Sequence, residues 1–530
     1  MFFGPYCVSS EVGPQQGDPI GPLLFCNTIH PLLSSLNSNL NLGYLDDLTL
    51  GGSVAAVARD VTKIVDEGGN LGLTLNVSKC ELVAHPGFSV ADNFLQRFTR
   101  VDVPDAILLG APLFSGPALD KAWADRCADL TRAVARLHLV GAQESLILMR
   151  ASFSSPKVLH LLRCSPSVSH PALSDFDSLL RTAIEQITNS SLTDSQWLQA
   201  SLPIREGGLG IRRVSSLALP AFLASAASTV SLQDAILAKC QLSECSFFSQ
   251  YFQFWSSAYG LAPNPLPPKQ SFWDRPGVLL DRAGVESSFT NPFQRASFLA
   301  AASRHSGDWL FALPIASCGL KLDDEAVRVA VGLRLGTDLC VPHQCQCGAQ
   351  VDARGLHSLV CKQAPGRSAR HHALNDVVAR AFSSAGVPVI KEPVGLYRTD
   401  GKRPDGLTLI PWQAGKSAVW DVTVTCTTAS SYIAASAREA GAAAELAASR
   451  KTAKYSSLAT QYIFYPVAVE THGPLNEEAR QLLSDLGRRA SASSGDVREV
   501  SFLFQRISVV VQRFNSVLLH DGFLVDGRSE

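Results

Sequence analysis

The chain has 530 residues, too many for a single core, and its 46% hydrophobic and 18% charged content excludes global disorder. A formal net charge of −1 and a pI near 6.9 exclude a uniformly basic nucleic-acid coat, so any nucleic-acid site must be a local patch. Thirteen cysteines form no regular framework, and Met1 is followed by Phe2, Phe3, Gly4 and Pro5 rather than a basic and then apolar leader. The expectation is a chain with reduced thiols and no secretion signal, nuclear or cytoplasmic.

Charge is distributed unevenly along the chain. Residues 1–85 hold three Lys/Arg against eight Asp/Glu, whereas residues 362–454 hold thirteen against seven. The front therefore favours cations and the back favours polyanions. The uncharged stretches Pro19–Leu45 and Cys245–Pro268 are broken by Pro, Asn and Ser, so no membrane span is predicted.

In chain order, Gly13–Phe25 reads as a Gly/Pro turn opening an apolar helix. Leu42–Leu50 then places Asp46 and Asp47 between apolar residues, which predicts two short strands with the acidic pair at the turn. Adjacent carboxylates repel, and a divalent cation offsets that repulsion; taken alone, such a pair is more often an ordinary hairpin turn. Gly72–Glu81 follows. Residues 90–340 are rich in Ala, Leu and Ser, with helices predicted over Ala122–Leu139 and Ser174–Ile187. Leu202–Arg212 is a Gly-rich segment lacking the Lys-Ser/Thr of a phosphate loop, so a structural turn is favoured. Leu261–Pro268 is the clearest linker.

Further on, Cys345, Cys347, His357 and Cys361 supply three thiolates and an imidazole within seventeen residues, a full tetrahedral set for structural Zn²⁺. His343 is a competing ligand. Val387–Val394 is a predicted strand, and Lys402, Arg403 and Pro404 lead to Asp405 at the start of another. Asp421 sits inside the apolar strand Ser417–Thr425, where a charge is costly unless it is paired or binds metal. Arg370, His371 and Asn375 open a helix before these strands. The Ala-rich run Ala434–Ser449 reads as a helix or an insertion, and it is followed by Lys451, Lys454 and Tyr455, the two lysines on one helix face. Two Asp on neighbouring strands plus a Lys form a minimal set for phosphodiester hydrolysis.

The order QGDPIGPLLF, YLDD, GLTLNVSKCE resembles the reverse transcriptase palm of non-LTR retrotransposons. Pro404-Asp405, Asp421 and the displaced Lys451 or Lys454 followed by Tyr455 resemble the restriction-like PD-(D/E)xK endonuclease domain of the same elements. That resemblance implies a multidomain α+β chain. Its parts would be a partial right-hand polymerase palm at 1–85, a helical thumb and connector at 86–260, a linker and helical region at 261–339, a zinc knuckle at 340–365 and an α/β restriction-endonuclease-like core at 366–530. It implies Mg²⁺ at Asp46 and Asp47 and again at Asp405 and Asp421, catalysis by these with Lys451 or Lys454, and DNA and RNA as partners. Gln16 and Gly17 would lie by template and nucleotide. Lys79 would lie near the phosphates, or else be a solvated charge. Arg370, His371, Lys402 and Arg403 would meet DNA or support the site. Two departures stand out. Only ten residues precede Glu11, leaving no room for an earlier palm carboxylate and fingers, so templated synthesis by this chain alone is not expected; and Thr423 occupies the usual Lys position. Mg²⁺-dependent DNA nicking by the back of the chain is the expected activity, with a catalytically silent nucleic-acid-binding relic or an adopted host protein as the alternative.

Overall fold

The computed structural model describes residues 2–3, 6–7, 17–84, 89–238, 246–396 and 402–523. It divides into two compact units that do not follow chain order. Unit 1 comprises residues 1–123, 160–168 and 218–273, and unit 2 comprises 124–159, 169–217 and 274–530.

In unit 1, helix α1 (Gly21–Ser34) starts with Pro22 in its first turn, where a missing N–H costs nothing. Strands β1 (Leu40–Tyr44) and β2 (Asp47–Gly51) form an antiparallel hairpin with Tyr44 paired to Asp47. Helix α2 (Val54–Asn70) is capped by Ser53, whose hydroxyl accepts from Ala56 N. Its buried Asp60 accepts from the backbone of Asn37 and Ser38 and from the Ser38 hydroxyl, fixing the entry to the hairpin. Val61, Val90 and Leu95 form a small core, with Leu50 and Leu82 packed against it. An aromatic cluster around Tyr251, Trp255 and Trp273 takes up Leu266 of the predicted linker, and Pro267 O accepts from Trp273 Nε1.

Unit 2 contains helices α3 (Asp194–Ser201), α4 (Pro292–Ala301) and α5 (Asp324–Leu335). The Gly-rich segment beside α3 is a self-bonded turn. Gly207 N, Gly208 N, Leu209 N and Gly210 N all donate to carbonyls of Ala200–Ile204, so these donors are spent within the turn. At Gly208 a Cβ would lie 2.0 Å from Leu202 O, so only glycine fits.

The back of unit 2 is a four-stranded mixed sheet. Helix α6 (Gly366–Ser384) precedes β3 (Val389–Lys391), β4 (Gly406–Thr408) and β5 (Ala418–Thr425). Helix α7 (Ala442–Lys454) leads to β6 (Ile463–Glu470), then α8 (Glu477–Ser494) and α9 (Glu499–His520). The sheet order is β3-β4-β5-β6, antiparallel except for the parallel β5–β6 pair. Side chains alternate across each strand. Trp420, Val422, Val467 and Val469 enter a core shared with Phe382, Leu482 and Phe504, while Ala468 meets Ala444, Ala447 and Ala448 of α7. The Ala-rich run is thus a packing surface: methyl side chains let α7 lie close against the parallel strand pair. Among the described residues, no single helix is long and apolar enough to cross a membrane.

Candidate functional site

The geometry of the site starts from β4 and β5. Asp405 immediately precedes β4, and its backbone N donates to Trp420 O at 3.0 Å. Its Oδ2 accepts from Val422 N at 2.6 Å, which sets the carboxylate beside the residue that follows Asp421. The approach depends on Gly406. A Cβ there would fall 1.9 Å from Cζ2 of Trp420, so the indole lies directly on the glycine backbone. Trp420 Nε1 donates to Asn375 Oδ1 (2.8 Å), and Asn375 Nδ2 donates to Asp405 O (3.3 Å), which ties α6 to both strands.

Asp421 points to the other face and is only 5% exposed. Lys451 of α7 pairs with its Oδ1, and the Tyr455 hydroxyl donates to its Oδ2 at 2.7 Å. Burial, and then the nearby Asp405 charge, raise the Asp421 carboxyl above its ordinary range, opposed by Lys451 and Tyr455. His371 of α6 bonds Asp405 Oδ1 at 3.0 Å, and that carboxylate holds the imidazole above its usual value. Asp405, Asp421, Lys451, His371 and Tyr455 therefore converge. Two carboxylates with a lysine can hold a hard divalent cation beside a proton donor.

Of the two candidate lysines, Lys451 reaches the carboxylate and Lys454 is solvent-exposed. Arg403 pairs with Glu392, and Lys402 is exposed beside Asp405. Arg370 is 3% exposed, with Nε and Nη1 unpartnered, and burial pushes its guanidinium down to about 10. It sits inside the fold and not on a surface open to DNA. Glu470, at the end of β6, was not anticipated. Fully buried, it accepts from Ala444 N at 3.1 Å and so holds the start of α7, the helix that delivers Lys451. The signal was akin to that at Asp421: a carboxylate in an apolar strand, here at its last residue.

The cysteine cluster lies before α6. Ligand atoms of Cys345, Cys347, His357 and Cys361 all lie within 4.8 Å of one another, a set that can hold a metal ion. Cys347 Sγ is 3.1 Å from His357 Nε2, and Cys345 Sγ is 3.8 Å from Cys361 Sγ. Gly348, at φ +87°, closes the turn, with its N–H on Cys345 O. The Ala349 backbone N–H lowers the Cys347 thiol to about 7, favouring the thiolate a metal requires. His343 stands apart: its ring stacks on Phe523 with centroids 4.3 Å apart, and Nδ1 bonds Val341 O.

In unit 1, Asp46 and Asp47 lie exposed at the tip of the β1–β2 hairpin, where Leu45 takes φ +55°. Among the described residues no third His, Cys, Asp or Glu joins them in a metal-sized cluster. Gly17 is exposed with φ +93°, and Lys79 is exposed at the end of a short turn of helix. Gln16 lies outside the described residues.

No protein-family model matches the chain. Over 493 residues, 89% of its length, it is 25% identical to the Retrotransposable element SLACS 132 kDa protein of Trypanosoma brucei gambiense. The chain spans 37% of that relative's length.

Proposed function

We propose that the back of unit 2 is a divalent-metal-dependent DNA endonuclease, in a chain derived from a non-LTR retroelement. The carrying observation is the convergence of Asp405, Asp421 and Lys451 on a β3-β4-β5-β6 sheet, and the distant similarity to a retrotransposable-element protein supports it. Asp405 and Asp421 would hold Mg²⁺, which when bound supplies an activated water and neutralises charge on the phosphate. His371 fixes the orientation of Asp405, and Tyr455 fixes that of Asp421. The Lys451 ammonium, held beside Asp421, would stabilise charge developing on the phosphoryl oxygens. Lys402 and Arg403 bind the strand beside Asp405. The cysteine cluster holds structural Zn²⁺ and keeps the segment before α6 folded.

In unit 1, the hairpin bearing Asp46 and Asp47 is read as part of a polymerase palm, with Gln16, Gly17 and Lys79 near nucleic acid. Primer extension with Mg²⁺ and deoxynucleotides that disappears in Asp46→Ala would support this reading, and extension that survives Asp46→Ala would refute it.

A second reading is DNA binding without cleavage. It is favoured by one observation: Lys451 pairs with Asp421 and His371 bonds Asp405, so each carboxylate has a side-chain partner of its own. Supercoiled plasmid decides between the two. Nicking with Mg²⁺ or Mn²⁺ that is abolished by Asp421→Asn supports the nuclease. Intact DNA binding with no nicking supports the second reading. Nicking that survives Asp405→Ala and Asp421→Ala would refute the site assignment.

A further inference from the structure

A cavity of about 320 Å³ lies in unit 2 away from Asp405 and Asp421, a size in the lower range of small-ligand pockets. It is built where α3, α4 and α5 meet the segment between Cys347 and His357 and the segments after β5 and β6. Its lining contains two arginines, Arg334 and Arg354, one histidine, His472, and no carboxylate. Burial pulls His472 down to about 4, so it is neutral near pH 7 and the charge of the lining is wholly cationic.

Arg334 is 5% exposed and is held by Gly208 O and Ile204 O, so its position is preset by the Gly-rich turn. Arg354, by contrast, is half-buried, and its guanidinium has no hydrogen-bond or ion-pair partner among the described residues. A planar cation left unmatched at a pocket in a chain of near-neutral net charge suits an incoming phosphate or carboxylate.

Three aromatic rings line the same cavity: Phe289, Phe293 and Phe298. Phe293 is 37% exposed although the pocket is available to bury it. Gln294 Nε2 and the Ser297 hydroxyl, from the same helix α4, also have no partner among the described residues. Ring faces, open amide and hydroxyl edges, and a free guanidinium together match one chemistry: a planar heterocycle carrying a phosphate. Phe293 takes the π-face, backed by Phe289 and the buried Phe298, the polar edges take the hydrogen-bonding edge, and Arg354 takes the anion.

We propose that this cavity binds a single unpaired nucleotide, either as part of a strand or as a free nucleoside monophosphate. The inference rests on the nucleic-acid reading above but not on the nuclease side chains. The test uses the full chain and a fluorescent oligo(U) and oligo(dT), each carrying one photoreactive pyrimidine, with UMP and dTMP as competitors. Crosslinks should map to the peptide containing Phe289 and Phe293. Phe293→Ala and Arg354→Ala should each weaken oligonucleotide binding about tenfold, the loss typical of one stacked base or one close charge contact. Plasmid nicking should be unchanged in both variants. Competition by mononucleotide would assign the pocket to a free nucleotide, and binding by the oligonucleotides alone would assign it to a strand. Wild-type binding by both variants, crosslinks confined to other peptides, or no binding of any single-stranded probe would overturn the proposal. Continued Asp421-dependent nicking in that last case would leave the nuclease reading intact.

Discussion

Replacing Lys451 by Met removes an ammonium while keeping most of the side-chain volume, and leaves Asp421 with only the Tyr455 hydroxyl as a partner. Breaking a buried pair costs about 3–5 kcal/mol because one charge is left uncompensated. Lys451 is 27% exposed against 5% for Asp421, so water takes up part of the loss and about 2–3 kcal/mol is expected without metal. The pH dependence has a definite sign. The folded-state carboxyl of Asp421 is already raised by burial and by Asp405. Without Lys451 it rises further, so the folded state binds the proton more tightly than the unfolded chain does. The cost of Lys451→Met is therefore small at acid pH, where Asp421 is protonated in both states. It grows as pH rises through the interval between the wild-type and variant folded-state values, because the unfolded chain titrates alike in both. Urea unfolding of Lys451→Met and wild type across this range, with and without Mg²⁺, measures it, and Mg²⁺ should restore most of the loss because a cation again faces the carboxylate. In an Asp421→Asn background the same substitution should cost under about 1 kcal/mol, the difference being the coupling of the pair. A Lys451→Met cost that is independent of pH, or unchanged in the Asp421→Asn background, would refute a coupled buried pair.

Metal analysis of the purified chain should find one zinc, lost in Cys345→Ser and retained in His343→Ala, since His343 packs on Phe523. Gly406→Ala drives a methyl into the Trp420 ring and should cost about 1–3 kcal/mol, read as a lower unfolding midpoint of unit 2 and reduced Trp fluorescence anisotropy; an unchanged midpoint would show that the indole is free to move. His472 has a folded value of about 4, below the ordinary imidazole value, so the unfolded chain binds its proton more readily. Its contribution is complete above about pH 6.5 and is lost as pH falls toward 4, by up to about 3 kcal/mol. His472→Gln should flatten that limb of a stability–pH curve.

Local pattern alone sufficed where the relevant distance runs along the chain. The Asp46-Asp47 turn follows from flanking strand residues, and the clustered cysteines lie within a span short enough for chain geometry to bring them together. Asp421 was legible because a charge inside an apolar strand demands a partner, whatever that partner is. Tertiary packing decided what lies across the fold. Lys451 and Lys454 share a face by periodicity, yet three residues differ by about 60° around the axis and 4.5 Å along it, enough that only Lys451 meets the carboxylate. His343 and His357 are equivalent as ligand types, and stacking on Phe523 removes one of them. The need for glycine at 406 shows only when Trp420 is seen to occupy the place of its missing side chain. The Ala-rich run has no identity of its own until Ala468 shows which strand it packs on, and Glu470 which end of the helix is held. Spacing in sequence sets direction within one element; which side chains meet between elements depends on the close packing of the whole core, and a single chain's residue pattern does not encode that separation.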